Sequence, residues 1–188
     1  AITVRYTGIY PETVKRFVSI EGLGPSPRAM AEAAGKTIVE RMRGWVDDQR
    51  KAAGRLPRRY NSIEEAFARM QEQNKHLSEQ QARHLTVHGV NQNEDGTYTW
   101  KFDNYTHSRA PYHIPLSDTV KLWEQIACPT LLLNSDNGYS HRTGQNDSLK
   151  HFHHAELAVV EGAGHWLHHD QLRIFMERVQ AFLARVSG

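Results

Sequence analysis

The carboxyl-terminal part of the chain alternates short apolar segments with amphipathic ones, and this alternation limits the possible folds most. Residues 129–133 and 157–160 are apolar, so each predicts a buried strand, with a helix ending near Leu149 between them. A long helix is predicted after residue 171, because apolar residues recur at steps of three and four: Leu172, Phe175, Val179, Phe182, Leu183 and Val186. Strands separated by helices indicate an α/β fold with a parallel sheet and right-handed crossovers.

The amino-terminal segment has the same character. Residues 1–10 predict a helix that stops at Pro11, because proline has no amide hydrogen and restricts the residue before it. No capping residue or first turn precedes this helix, so we expect its beginning to lie upstream of Ala1. Residues 14–20 predict a short strand that leaves through Glu21 and Gly22.

Between these two parts, the sequence is charged and rich in helix-forming residues. Residues 30–53 predict the longest helix, with an apolar stripe of Ile38, Met42, Trp45 and Val46. Capping boxes predict helices over 62–74 and 78–88, and an Asp-Gly turn predicts a hairpin within 94–103. We therefore predict a core of residues 1–25 and 119–188, interrupted by a mainly helical lid of residues 26–118.

Three titratable side chains follow the ends of predicted strands. Glu21, Asp136 and His165 each come just past the carboxyl end of a strand, and these ends meet at one edge of a parallel sheet. His165 lies in a glycine-containing loop and is the candidate general base, because histidine titrates near neutral pH. The alternative is that His165 and Glu21 are turn residues that satisfy local hydrogen bonds.

Aromatic residues supply candidates for a substrate pocket. Trp45, Tyr139 and Trp166 are the side chains that we expect to contact an apolar substrate. Packing between lid and core is the alternative explanation for most aromatic residues in this chain.

Three segments together resemble the α/β-hydrolases that carry a helical lid. Residues 8–22 resemble the segment after the nucleophile helix, residues 128–133 resemble the strand before the acid loop, and residues 162–166 resemble the catalytic-histidine loop. The resemblance implies an incomplete α/β-hydrolase core, with His165 as the base. It favours Asp136 over Glu21 as the acid, although some relatives, including haloalkane dehalogenases, use the position that Glu21 matches.

The nucleophile of this family is absent from the sequence. No Gly-x-Ser-x-Gly motif is present, and the nearest string, at Ser140, lacks its final glycine. We expect the nucleophile in an amino-terminal remainder of the same fold, about a hundred residues long by comparison with typical domain sizes. The implied activity is hydrolysis of small apolar carboxylic esters by a Ser-His-Asp/Glu mechanism. An aspartate nucleophile, as in dehalogenases and epoxide hydrolases, and a non-catalytic binding module or split half remain open.

Composition argues against several other classes. The net charge of +2 comes from 23 basic and 21 acidic residues, which does not favour nucleic-acid binding. The single cysteine, Cys128, suits a reducing compartment and predicts a cytoplasmic protein. No apolar run reaches the roughly 20 residues that span a bilayer. The 12 histidines lack a His-Glu-x-x-His pattern, and no glycine-rich nucleotide motif occurs, so we expect neither a metal nor a cofactor.

Overall fold

The structure is a computed structural model that describes residues 2–24, 27–75, 77–107, 110–112, 114–138, 144 and 147–185. The chain forms two compact units, one of residues 1–35 and 113–188 and one of residues 36–112. Its helices and strands, in chain order, are α1 (Ile2–Ile9), β1 (Phe17–Ile20), α2 (Pro27–Ala34), α3 (Ile38–Gly54), α4 (Ile63–Gln73), α5 (Glu79–Gly89), β2 (Val90–Gln92), β3 (Tyr98–Trp100), α6 (Leu116–Glu124), β4 (Thr130–Ser135), β5 (Ala155–Val160), α7 (Leu167–Asp170) and α8 (Leu172–Ala184). Short 3-10 turns occupy Pro11–Thr13, Asn104–His107 and Ser148–His151.

The first unit is built on a parallel sheet in the order β1-β4-β5. Phe17 of β1 lies opposite Thr130 of β4, and Ser135 of β4 lies opposite Val160 of β5. β4 is the central strand and is buried along its whole length, which explains its run of three leucines, Leu131–Leu133. The predicted parallel α/β sheet is confirmed, with bounds shifted by a few residues.

The sheet has an apolar core on each face, because successive side chains along a strand point to opposite sides. Leu132 contributes to one core, and its neighbours Leu131 and Leu133 contribute to the other. The first core contains Val4, Phe17, Leu23, Ile126, Cys128, Leu132 and Phe152, and the second contains Leu131, Leu133, Val160, Ala163, Leu167 and Phe182. This double burial holds the carboxyl ends of the strands in fixed positions.

The second unit contains α3, α4, α5 and the antiparallel hairpin of β2 and β3. Tyr60 forms an isolated bridge with Tyr98 and accepts a hydrogen bond from Trp100 Nε1 at 3.2 Å. Tyr60 forms a small core with Ala66 and Val90, and Tyr98 and Trp100 pack against this core. The hairpin predicted within 94–103 is confirmed, and its first strand begins before the Asp-Gly turn.

The longest predicted helix, over residues 30–53, is wrong as a single element. It is divided into α2 and α3 at Gly35, and α3 begins at a capping box in which Thr37 and Glu40 bond each other's backbone amides. None of the residues of α3 is buried, so its apolar stripe is not a core face. The capping box at Ser78 is confirmed, whereas at Ser62 the cap bonds the Glu65 amide and the Glu65 carboxylate accepts instead from the amide of Asn61.

Two predictions for the last part of the chain also need correction. In the described residues between β4 and β5, the helix expected to end near Leu149 is only the 3-10 turn Ser148–His151. On α8, the sequence predicts Leu172 and Leu183 on the core face, but they are 58% and 49% exposed. The core is instead contacted by Phe182 with Ile174, Phe175 and Val179, and Val186 lies outside the described residues.

Within the described ranges, none of the helices is both long and apolar enough to cross a membrane.

Candidate active site

Glu21 and His165 approach each other at the carboxyl edge of the sheet. The Glu21 amide donates to Leu133 O at 2.8 Å, directly past the end of β1, and Glu21 has a left-handed φ of 57°. His165 lies in the loop between β5 and α7. Its Nδ1 is 3.6 Å from Glu21 Oε2, and the side chains of His165 and Glu21 are 45% and 3% exposed, respectively. A buried carboxylate therefore faces one nitrogen of an accessible imidazole.

The Glu21 carboxylate is held by the end of the neighbouring strand. Ser135 donates two hydrogen bonds to Glu21 Oε1, one from its backbone amide and one from its hydroxyl at 2.8 Å. Gly138 lies against the same carboxylate, and a Cβ atom at this position would overlap both Glu21 Oε2 and the Ser135 hydroxyl. Glu21 thus fills space that is open only because residue 138 has no side chain.

Asp136 has different partners. Its Oδ2 accepts from the Gly162 amide at 2.9 Å, and its Oδ1 accepts from the Ala163 amide at 3.0 Å. These backbone hydrogen bonds, from Gly162 first and then Ala163, hold the pKa of Asp136 below its ordinary value because they stabilise the ionised carboxylate. Asp136 therefore ties the end of β4 to the loop that carries His165.

Further contacts fix the conformation of the His165 loop. The Asn137 amide donates to Ala163 O at 3.0 Å, and the Gly164 amide donates to Asp170 Oδ2 at 2.8 Å. Gly162 adopts a φ of 68°, a left-handed conformation that glycine tolerates without a steric penalty. The loop is thus bonded on both sides of the turn that precedes His165.

The three predicted substrate contacts belong to different parts of the chain. Trp166 is partly buried beside His165 in the chain, and its ring is 6.2 Å from that of His169. Trp45 is partly buried on α3 of the second unit. Tyr139 lies outside the described residues, as does Ser140.

Histidines near the site do not form a described metal centre. Across the residues that the structure describes, no group of three or more His, Cys, Asp or Glu side chains is arranged to hold a metal ion. His168, on α7, packs near Phe175, and its buried Nδ1 has no hydrogen-bond partner among the described residues. Desolvation by burial, followed by the charge of His169, lowers the pKa of His168.

Solved structures with similar folds include several hydrolases. The chain matches an esterase of M. tuberculosis with a TM-score of 0.71 and 17% identity, over 98% of this chain and 59% of that one. A thioesterase domain from the curacin biosynthetic pathway matches with a TM-score of 0.71 and 16% identity, over 95% of this chain and 62% of that one. The chain has the α/β-hydrolase fold.

The chain spans about three-fifths of the length of these structures. A hypothetical protein of Pseudomonas aeruginosa matches with a TM-score of 0.76 and 21% identity, over 98% of this chain and 64% of that one. No family model and no curated protein matches the sequence. The similarity therefore establishes the fold, and the activity must be argued from the side chains.

Sequence reasoning missed three residues of this candidate site. Ser135 and Gly138 form the pocket of the Glu21 carboxylate, and Asp170 bonds the loop before His165. Ser135 precedes Asp136 and Gly138 follows it by two residues, so their position in the predicted acid loop could have identified them. Asp170 could have been found from its position a few residues after His165, although it lies at the end of the short helix α7.

Proposed function

We propose that this chain is the part of an α/β-hydrolase that carries the general base and its acid, and that the complete enzyme cleaves small apolar carboxylic esters. The observation that carries the proposal is the 3.6 Å approach of His165 Nδ1 to the buried carboxylate of Glu21. The esterase and thioesterase among the similar structures support acyl transfer as the reaction class. In the Ser-His-Asp/Glu mechanism of ester hydrolysis, this pairing of imidazole and carboxylate activates the serine.

In the proposed mechanism, Glu21 orients and stabilises the base. A carboxylate facing Nδ1 favours the tautomer that carries its proton on Nδ1, which makes Nε2 the proton acceptor. Nε2 of His165 then takes the proton of the attacking serine and later donates it to the leaving alcohol. The Glu21 charge stabilises the imidazolium that forms between these two steps.

We assign the acid to Glu21 rather than to Asp136, which the family resemblance favoured. Glu21 faces the imidazole, whereas the two oxygens of Asp136 accept hydrogen bonds from loop amides. A carboxylate that accepts hydrogen bonds from two amides stabilises the backbone of the loop, and these bonds lower its pKa. The position of Glu21 at the exit of β1 fits the second arrangement that the resemblance allows.

We infer that the nucleophile belongs to a segment that this sequence does not contain. The sequence has no Gly-x-Ser-x-Gly motif. Among the described strands, β1 pairs along one edge only, and Ile20 near its end is 40% exposed. On α1, Ile2, Tyr6 and Ile9 are exposed at helical spacing. An unpaired edge beside exposed apolar residues suits a further strand of the same sheet, because parallel sheets are normally covered.

One specific observation supports a second candidate function. The acid of haloalkane dehalogenases, by the family resemblance, stands at the position of Glu21, which is the carboxylate that contacts His165. In that mechanism the nucleophile is aspartate, and His165 activates water against the covalent ester intermediate. The roles of His165 and Glu21 are the same in both candidates, so only the nucleophile separates them.

A protein that joins this chain to the inferred nucleophile segment, which we call the complete protein, distinguishes these candidates. We expect it to hydrolyse short p-nitrophenyl esters and to react with a fluorophosphonate probe, and we expect both reactions to be lost in His165→Ala. Asp118→Asn serves as a matched control, because Asp118 is an exposed residue of α6 paired with Lys121. Turnover of haloalkanes or epoxides without fluorophosphonate labelling would replace the serine mechanism by the aspartate one. Absence of all these activities in a folded protein would favour a binding module.

The substrate contacts remain predictions. Trp166, Trp45 and Tyr139 are proposed to contact the apolar part of the ester. Replacing each by alanine in the complete protein should raise the KM for longer acyl chains more than for acetate esters, because less apolar surface would be buried on binding.

A further inference from the structure

We propose that Asp136 and Asp170 act together as positioning residues that hold the His165 loop in register with Glu21. The proposal rests on the function proposed above, and it gives Asp136 a role other than that of the catalytic acid. We call these two carboxylates the loop clamp.

The loop clamp binds three consecutive backbone amides. Asp136 accepts from the amides of Gly162 and Ala163 at 2.9 and 3.0 Å, and Asp170 accepts from the amide of Gly164 at 2.8 Å. The next residue in the chain is His165. The backbone leading to the base is therefore bonded at every amide in the turn.

The two carboxylates anchor the loop to different parts of the unit. Asp136 follows the buried central strand β4, and its own amide donates to Val160 O at 3.3 Å. Asp170 ends α7, whose Leu167 belongs to the core on one face of the sheet. The loop is consequently fixed from the sheet on one side and from the following helix on the other.

The geometry of the base depends on this anchoring. The His165 ring, whose side chain is 45% exposed, meets Glu21 at 3.6 Å, so the position of the loop backbone sets this approach. A glycine on each side of Ala163 leaves the loop with high intrinsic flexibility. A displacement of about 1 Å at a catalytic group can reduce the rate by about 100-fold, so the clamp is a determinant of activity.

A double-mutant cycle in the complete protein tests the proposal. We expect Asp136→Asn to lower kcat by about 10- to 100-fold with little change in KM, and Asp136→Ala to lower it further, because asparagine keeps one acceptor oxygen. When Glu21 is already glutamine, either change should cost little more, because the clamp acts through the His165–Glu21 pair. Asp118→Asn, with the same change of charge on an exposed helix, should keep wild-type activity.

Hydrogen exchange and imidazole NMR provide readouts that do not require activity. In Asp136→Asn, the amides of Gly162 and Ala163 should lose protection while those of β4 stay protected, and the His165 ¹⁵N signals should indicate a mixture of tautomers. In Asp170→Asn, the Gly164 amide alone should lose protection, which gives a second test if the first variant does not fold.

The possible results separate the two proposals. Additive losses in the cycle, or unchanged exchange of the loop amides, would overturn the clamp. A loss in Asp136→Asn that exceeds the loss in Glu21→Gln would return the acid role to Asp136. If the complete protein has no hydrolase activity but loop exchange and the tautomer ratio change as expected, the proposed function fails and the clamp stands.

Discussion

Replacing Glu21 by glutamine tests the assignment of the acid most directly. In the structure, Glu21 Oε1 accepts from the amide and hydroxyl of Ser135, while Oε2 faces His165 Nδ1. A glutamine can keep its carbonyl oxygen on Ser135 and would then present its NH₂ group to the imidazole. Because this group donates, it favours an unprotonated Nδ1 and a proton on Nε2. His165 could then no longer accept a proton from the nucleophile.

The structure separates the cost in activity from the cost in stability. Loss of the correct tautomer in a serine hydrolase lowers kcat by about 10⁴-fold, and we expect a fall of about 10³- to 10⁴-fold here. The free energy of unfolding should change by less than about 1 kcal/mol, because both Ser135 donors stay bonded. In Glu21→Ala, the same two donors lose their acceptor, at about 1–3 kcal/mol each.

The assay combines ester hydrolysis by the complete protein with urea unfolding. We expect Glu21→Gln to be nearly inactive and as stable as the wild type, and Glu21→Ala to be inactive and destabilised. Activity within 10-fold of the wild type in Glu21→Gln would refute the assignment, whichever residue then proved to be the acid. Destabilisation of both variants to the same extent would refute the separate roles of the two oxygens.

Three further predictions concern packing and pH. Gly138→Ala should lower kcat/KM by about 100-fold, measured on the same ester, because the added Cβ displaces the Glu21 carboxylate. Leu132→Ala should lower the free energy of unfolding by about 2–5 kcal/mol in urea, whereas Leu183→Ala, at an exposed position of α8, should change it by less than about 1 kcal/mol. The pKa of His168 is lowered on folding, so the unfolded chain binds more protons over the interval between the lowered value and about 6.5. Stability should therefore rise with pH through that interval, and urea midpoints of His168→Phe should lack this part of the pH dependence.

The parallel sheet could be predicted because short segments of the sequence indicate its strands and turns. The apolar run of β4 and the glycine turn before His165 can each be read within a few residues of sequence. The two regions of core that enclose β4 explain why this strand shows no alternation of polar and apolar residues. The sequence pattern and the burial therefore have the same cause.

A short segment of sequence also indicates the break between α2 and α3, but the helical periodicity of the apolar residues obscures it. Thr37 and Glu40 have the spacing of a capping box, which places a helix start after Gly35. The apolar positions of α3 continue the helical period of the preceding residues, so periodicity alone suggested one helix. Caps depend on single residues, whereas a periodic stripe averages over many residues and does not reveal where one helix ends and the next begins.

The choice between Glu21 and Asp136 could not be made from the sequence, because both follow strands that end at the same edge. The choice depends on conformations that only the folded chain defines: the left-handed backbone at Glu21, the amides of Gly162 and Ala163 directed at Asp136, and the open space at Gly138.

The close approach of Gly138 to Glu21 explains how the Glu21 carboxylate can lie beside His165. A side chain at residue 138 would extend from the acid loop into the volume that the Glu21 carboxylate occupies. Since the two groups exclude each other, an acidic side chain at residue 138 and the buried Glu21 carboxylate cannot occupy the site together. Because Gly138 has no side chain, the space beside His165 is open to the carboxylate of Glu21, which follows β1.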